Sequence, residues 1–186
     1  LSMIISISGF PGSGKTSTGK LVAQHLEIPF YSVGDLRGKM AKERGMTIDE
    51  LNRLGEQDPS TDASIDDDQK RLGEKERDFV IEGRLSWHFI PHSFKVLLIC
   101  DPHEAARRIY EVKKARHEER DDEPLYASAE ETERIIADRT KSDVTRYQKH
   151  YGIDYRDPKH FDLVLDTTHN KNPEETAQKI LDAIKK

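Results

Sequence analysis

Eight residues near the start of the chain constrain it most: Gly9-Phe10-Pro11-Gly12-Ser13-Gly14-Lys15-Thr16, a full match to GxxxxGK[ST]. The pattern gains meaning between a strand and a helix. Ile4-Ile5-Ser6-Ile7-Ser8 reads as that strand, and Lys15 to Leu26 as that helix, with Leu21, Val22 and Leu26 on one face. Glycines let backbone N–H groups curl around an anion, and the helix start adds partial positive charge. Lys15 then reaches the β- and γ-phosphates, and the Thr16 hydroxyl suits a Mg²⁺ ion. The segment predicts a nucleoside triphosphate site, one that motors, switches and small-molecule kinases share.

Short apolar runs alternate with amphipathic stretches along the rest of the chain. Phe30 to Ser32, Phe79 to Ile81, Lys95 to Cys100 and Phe161 to Asp166 read as four further strands. Apolar runs joined by helices predict βαβ units and a buried parallel sheet. Thr47-Ile48-Asp49-Glu50 and Ser128-Ala129-Glu130-Glu131 have the form of capping boxes. Asp101-Pro102 and Asn172-Pro173 each place a capping side chain before a proline. Helices are therefore expected over about 102–116, 129–150 and 173–184. Two stretches interrupt the alternation. Residues about 34–73 look helical and carry Asp66-Asp67-Asp68, which reads as a solvated acidic face. Residues about 117–127 are polar and join two long helices. A single domain is expected, with a core over 3–33, 74–116 and 128–186, and with both excursions as flaps over the sheet.

Composition narrows the partners. Of 186 residues, 34% are hydrophobic and 35% charged, and the net charge is -5. No run approaches the ~20 apolar residues that span a bilayer. No basic start leads into a long apolar segment, so no signal peptide is expected. Acidic balance argues against non-specific grip on nucleic acid. One cysteine, Cys100, allows no internal disulfide, and a cytoplasmic protein, a monomer by default for this size, is expected. Cys100 ends an apolar strand and reads as core. His88 and His92 have i, i+4 spacing, but Pro91 lies between them and no further ligand completes a metal set. Trp87, Tyr147 and Tyr151 read as packing residues.

Arginines suggest what lies opposite the phosphate loop. Glu82-Gly83-Arg84 falls at the end of the third predicted strand, the edge where ligands bind in open parallel sheets. Arg107 and Arg108 follow the fourth strand, and Arg139, Asp143 and Arg146 share one helical face at offsets 0, 4 and 7. One triphosphate needs one lysine and one metal, so extra arginines point to a second phosphate-bearing ligand. A phosphate acceptor needs no general base, whereas an alcohol acceptor needs a carboxylate beside it. Asp35, just after the second strand, keeps the alcohol alternative open.

These residues resemble the cytidylate kinases, particularly the short archaeal type, among the nucleoside monophosphate kinases. The resemblance runs from the phosphate loop through Ser32-Val33-Gly34-Asp35-Leu36-Arg37, Met40 to Met46, Val80 to Arg84, Arg139-x-x-x-Asp143-x-x-Arg146-Tyr147 and Tyr151 to Asp154, to Asp162 to Thr167. It implies a three-layer α/β fold of the P-loop nucleoside triphosphate hydrolase type. That fold has a five-stranded parallel sheet of order 2-3-1-4-5, a helical monophosphate-binding insert over 34–73 and a short lid over 117–127. It implies Mg²⁺-dependent transfer of the γ-phosphoryl group of ATP to CMP or dCMP. ATP would be held by Gly9, Pro11, Gly12, Ser13, Gly14, Lys15, Thr16 and Ser17, with Arg108 in the lid and His169 beside the adenine. The acceptor would meet Ser32, Asp35, Arg37, Arg84, Arg139 and Asp143. Lys15, Arg84, Arg108, Arg139 and Arg146 would carry catalysis, with Mg²⁺ on Thr16 and, through water, Glu82. The chain departs from the family pattern at Gly38 and Ala105, where relatives often carry arginine. Arg37 or Lys39 then takes the first role, and the acceptor base stays open. The rivals are a shikimate- or gluconate-type alcohol kinase, with Asp35 as base, and a nucleotide-dependent switch or binding module.

Overall fold

A computed structural model describes residues 3–115 and 127–185. Five parallel strands form one sheet: β1 (Met3–Gly9), β2 (Phe30–Ser32), β3 (Asp78–Glu82), β4 (Phe94–Ile99) and β5 (Leu163–Asp166), in the order β2-β3-β1-β4-β5. Eight helices connect and cover them: α1 (Lys15–Leu26), α2 (Val33–Glu43), α3 (Ile48–Gln57), α4 (Ser60–Lys75), α5 (Ser86–Phe89), α6 (Pro102–Ala115), α7 (Ala129–Tyr151) and α8 (Pro173–Ile184). All but one residue of the expected lid, Ala127, lie outside the described residues.

The two faces of the sheet are covered differently. Ile5 and Ile7 point to one side and pack with Val22 and Ala23 of α1 and Ala177, Ile180 and Leu181 of α8. Ile4, Phe79, Ile81 and Ile90 form a smaller cluster on the other. β1 is central yet not apolar on both faces, because Ser6 and Ser8 alternate with the isoleucines. Both serines are buried and paired: Ser6 Oγ lies 2.8 Å from Ser93 Oγ, and Ser8 Oγ donates to the Arg84 carbonyl at 3.0 Å. The second serine ties the central strand to the turn that carries Arg84.

Helix starts follow their caps. Thr47 and Glu50 form the reciprocal capping box. Ser128 accepts from the Glu131 N–H, but the Glu131 carboxylate takes the Ala127 N–H rather than that of Ser128, so this cap is only half a box. The Asp101 carboxylate caps α6 through the His103 and Glu104 N–H groups, at 3.0 and 3.1 Å.

The segment between β2 and β3 is α2, α3 and α4, with a small apolar cluster of Ala41, Ile48 and Leu51. Here the reading of Asp66-Asp67-Asp68 as a solvated face needs correction. Asp67 and Asp68 are exposed and pair with Lys70 and Arg71, whereas Asp66 is buried and accepts from the Tyr151 hydroxyl. A helix turns successive residues through about 100°, so a run of three acids cannot share one face.

Candidate active site

The loop between β1 and α1 is closed from behind. Gly12 has φ +73, and a Cβ there would lie 2.6 Å from the Ala105 carbonyl oxygen. Ala105 is buried under the loop at the start of α6. The Thr167 hydroxyl, at the end of β5, donates to the Ser13 carbonyl at 3.1 Å. Lys15 Nζ donates to the Phe10 carbonyl at 2.9 Å. Burial pushes the Lys15 ammonium down to about 8, against the opposing pull of Glu82.

Glu82 ends β3 beside this lysine. It is buried, and its Oε1 accepts from Thr16 Oγ1 at 3.2 Å and Ser32 Oγ at 2.5 Å. The parallel register sets Ser32 directly opposite Glu82. Gly83 then turns the chain, and a Cβ on it would meet Ser86 Oγ at 2.4 Å and Val33 Cγ2 at 2.7 Å. Trp87 fixes the turn, because its indole N–H donates to the Arg84 carbonyl at 3.0 Å while its ring stacks on His160. Trp87 is a packing residue that also positions Arg84.

Beyond the turn, charges alternate. Arg84 Nε lies 2.7 Å from Asp143 Oδ2, Asp143 Oδ1 takes Arg146 Nη2 at 2.9 Å, and Arg146 Nε lies 2.9 Å from Asp62 Oδ2. Asp62 in turn pairs with Arg37, whose Nε donates to Asn52 Oδ1 at 2.7 Å. Asp62, Asp143 and Arg146 are nearly solvent-free. A lone charge so deep would be costly, and alternation makes the group tolerable. It also links α2, α4, the turn after β3, and α7.

A cleft of about 690 Å³, counting its open mouth, lies between these elements. Lys15, Arg37, Glu82, Arg84, Arg139 and Arg146 line it with Asn52, Asp62, Asp66, Gln69, Phe89 and Tyr147. Ser32 reaches it through Glu82, and Asp143 backs Arg84 and Arg146. Other expected residues lie elsewhere. Asp35 is exposed in the first turn of α2 and donates its N–H to the capping Ser32 Oγ. Ser17 and His169 are exposed. Arg108 is on α6 rather than in a lid. Its Nε pairs with Glu104 at 2.8 Å, and its Nη2 donates to the Thr167 and Thr168 carbonyls at 2.8 and 2.9 Å, holding the loop that contains His169. Of the two candidates for the shifted arginine, Arg37 lines the cleft and Lys39 is exposed.

Sequence reasoning missed Asp62, Asp66, Gln69 and Asn52. The first three have offsets 0, 4 and 7 on α4, the same spacing that marked Arg139, Asp143 and Arg146. Tyr147, expected only to pack, also faces the cleft and takes a hydrogen bond from Arg146 at 3.1 Å.

The model of the cytidylate kinase-like family matches residues 4–169. The chain belongs to that family. It is 37% identical over 166 residues to a cytidylate kinase of Methanocella arvoryzae, with 89% of this chain and 88% of that protein covered. It is 35% identical over 165 residues to one of Methanothermobacter thermautotrophicus, covering 89% and 95%. Among solved structures, a shikimate kinase from Bacteroides thetaiotaomicron shares the fold, with a TM-score of 0.64, 15% identity and full coverage of both chains. Family membership makes this chain an ATP-dependent nucleoside monophosphate kinase in type.

Proposed function

We propose that the protein transfers the γ-phosphoryl group of ATP to CMP or dCMP, giving the diphosphate and ADP. One observation carries the reading. Arg37, Arg84, Arg139 and Arg146 converge on the cleft that Lys15 also lines. Asp62 and Asp143 balance part of that charge, with Glu82 and Asp66 nearby, and the positive excess that is left suits a second phosphate and the charge that builds during in-line transfer.

A phosphate acceptor is already an anion near neutral pH, so the chain needs no general base. Asp62 is committed to two arginines and Glu82 to two hydroxyls, Asp66 lies a full helical turn from Asp62 and accepts from the Tyr151 hydroxyl, and Asp35 is exposed and not among the residues lining the cleft. The chain's task is alignment. The loop amides and Lys15 hold the donor, and Arg84 and Arg139 hold the acceptor phosphate at the edge of the sheet. Arg146 and Asp143 fix Arg84, and Arg108 holds the loop beside the adenine.

Mg²⁺ fits the oxygen donors present. The Thr16 hydroxyl would hold it, and Glu82 would orient its water. When bound, the ion neutralises charge on the transferring group.

Arg84→Ala and Arg139→Ala are expected to lower CMP turnover by about 3–5 decades, the scale set by arginine fingers. Asp35→Asn is expected to leave it within about tenfold. Steady-state ADP release checks both; a crippled Asp35→Asn beside an active Arg84→Ala would favour an alcohol acceptor.

A further inference from the structure

The cleft has a second end that phosphate chemistry does not use. Asp62, Asp66 and Gln69 lie on one face of α4, and all three are buried and line the cleft. Asp62 belongs to the arginine cluster. Gln69 lies seven residues on, about 10 Å along the helix axis, a distance on the scale of a nucleoside monophosphate. Apolar side chains of Ile65, Leu85 and Phe89 flank this end, as a base ring requires.

The polar atoms there are held in fixed roles. One oxygen of Asp66, Oδ2, takes the Tyr151 hydroxyl, which leaves Oδ1 as an acceptor. Oε1 of Gln69 takes the Ser86 hydroxyl at 2.7 Å, which leaves the amide NH₂ as a donor. An acceptor and a donor three residues apart on one helix face, both lining the cleft, complement an amino group beside a ring nitrogen. Cytosine carries that edge, with the N4 amino group as donor and N3 as acceptor. Uracil carries its inverse, with O4 as acceptor and N3–H as donor.

We propose that Asp66 and Gln69 read the Watson–Crick edge of the acceptor base and select an amino-bearing base over its keto counterpart. The assignment rests on the acceptor reading above and deepens it. Adenine shares the same edge, so the discrimination concerns C against U rather than pyrimidine against purine. A keto base would leave the Asp66 oxygen facing O4 and the Gln69 amide facing N3–H, and unpaired buried groups discriminate strongly.

The experiment compares kcat/KM for CMP and UMP in wild type, Asp66→Asn, Gln69→Glu and the double variant. In Asp66→Asn the Tyr151 hydroxyl retains an oxygen partner and the new NH₂ faces the cleft. In Gln69→Glu the donor becomes an acceptor. Each single change is expected to lower the CMP/UMP ratio by about 10–100-fold, mainly through KM, and the double variant to favour UMP. If the double variant does not fold, the single variants are read in the same way. A wild-type CMP preference that survives both single changes, or equal losses on both nucleotides, overturns this assignment alone. A wild-type enzyme that turns over neither nucleotide overturns the acceptor reading and the assignment with it.

Discussion

At the scale of single residues, Lys15 and Asp66 are withdrawn from water far enough to displace their proton affinities. Lys15 is pushed down to about 8 chiefly by burial, so the folded chain holds its proton less firmly than the unfolded chain, whose value is 10.5. Its charge therefore destabilises the free protein below about pH 8, and stability from this group rises between about pH 8 and 10.5. Lys15→Met is expected to abolish transfer yet raise the unfolding free energy at pH 7 by roughly 1–3 kcal/mol. Calorimetry of the free protein checks it; a lower Tm would mean that Lys15 is not strained. Asp66 runs the other way in sign. Burial, opposed by the Tyr151 hydrogen bond, pushes its carboxyl up from 3.8 to about 6. The folded state binds this proton more tightly, so stability from Asp66 grows as pH falls from about 6 toward 3.8. Tyr151, Asp62, Lys70 and Arg37 are the charged or titratable groups that tune it. Asp66→Asn is expected to be more stable than wild type by roughly 1–3 kcal/mol at pH 8, with the gap closing at pH 4. Denaturant melts at the two pH values decide this. The places of Lys15 and Thr16, at the start of the helix that follows the loop, were legible because a contiguous motif specifies them. The places of Asp62 and Asp66 were not, because an acid facing a solvated surface and an acid facing a cleft are identical letters.

At the scale of elements, the helices between β2 and β3 own little apolar core. Ala41, Ile48 and Leu51 form one small cluster, Val33 and Leu72 pack on the cluster beneath the sheet, and much of the remaining attachment is polar, through Arg37, Asp62, Arg146, Gln69 and Asp66. Sub-global opening follows such a distribution of contacts. Amide exchange in α2 and α3 is expected to be faster than in β1 and β4, and to slow when the acceptor binds. Equal protection in the free protein would contradict this. Asp62→Asn removes the charge between two arginines while keeping shape. It is expected to raise acceptor KM by about 10-fold or more with a smaller change in kcat. Unchanged KM would mean that Arg37 is held by Asn52 alone. Helix limits were readable from caps and prolines, and the predicted bounds of α1, α7 and α8 fall within a residue of those observed. Edges of strands were less so. Cys100 lies beyond β4, and β5 starts at Leu163; just before it, Asp162 accepts the Lys95 N–H on its carboxylate at 2.8 Å and donates its own N–H to the Lys95 carbonyl at 2.9 Å. Ser6 and Ser8 also show how a central strand can place polar side chains inward when each has a partner.

For the whole molecule, the order β2-β3-β1-β4-β5 brings the ends of β1, β2 and β3 together, and the cleft opens where they meet. That order entered the reading through resemblance rather than through hydrophobic pattern, since periodicity identifies strands but not their neighbours. The arginines of α7 could be placed on one face from spacing, but not aimed. Packing of α7 against α3 and α6 turns that face toward Arg84. The fold alone is shared with a shikimate kinase, so identity of the acceptor rests on side chains and not on architecture. The central claim is therefore tested best by ADP release from Mg²⁺-ATP with a panel of CMP, dCMP, UMP, AMP, GMP, shikimate and gluconate. Strong turnover with CMP or dCMP, and little with the two alcohols, is the predicted result. Turnover confined to an alcohol, or no dependence on any acceptor, would contradict it.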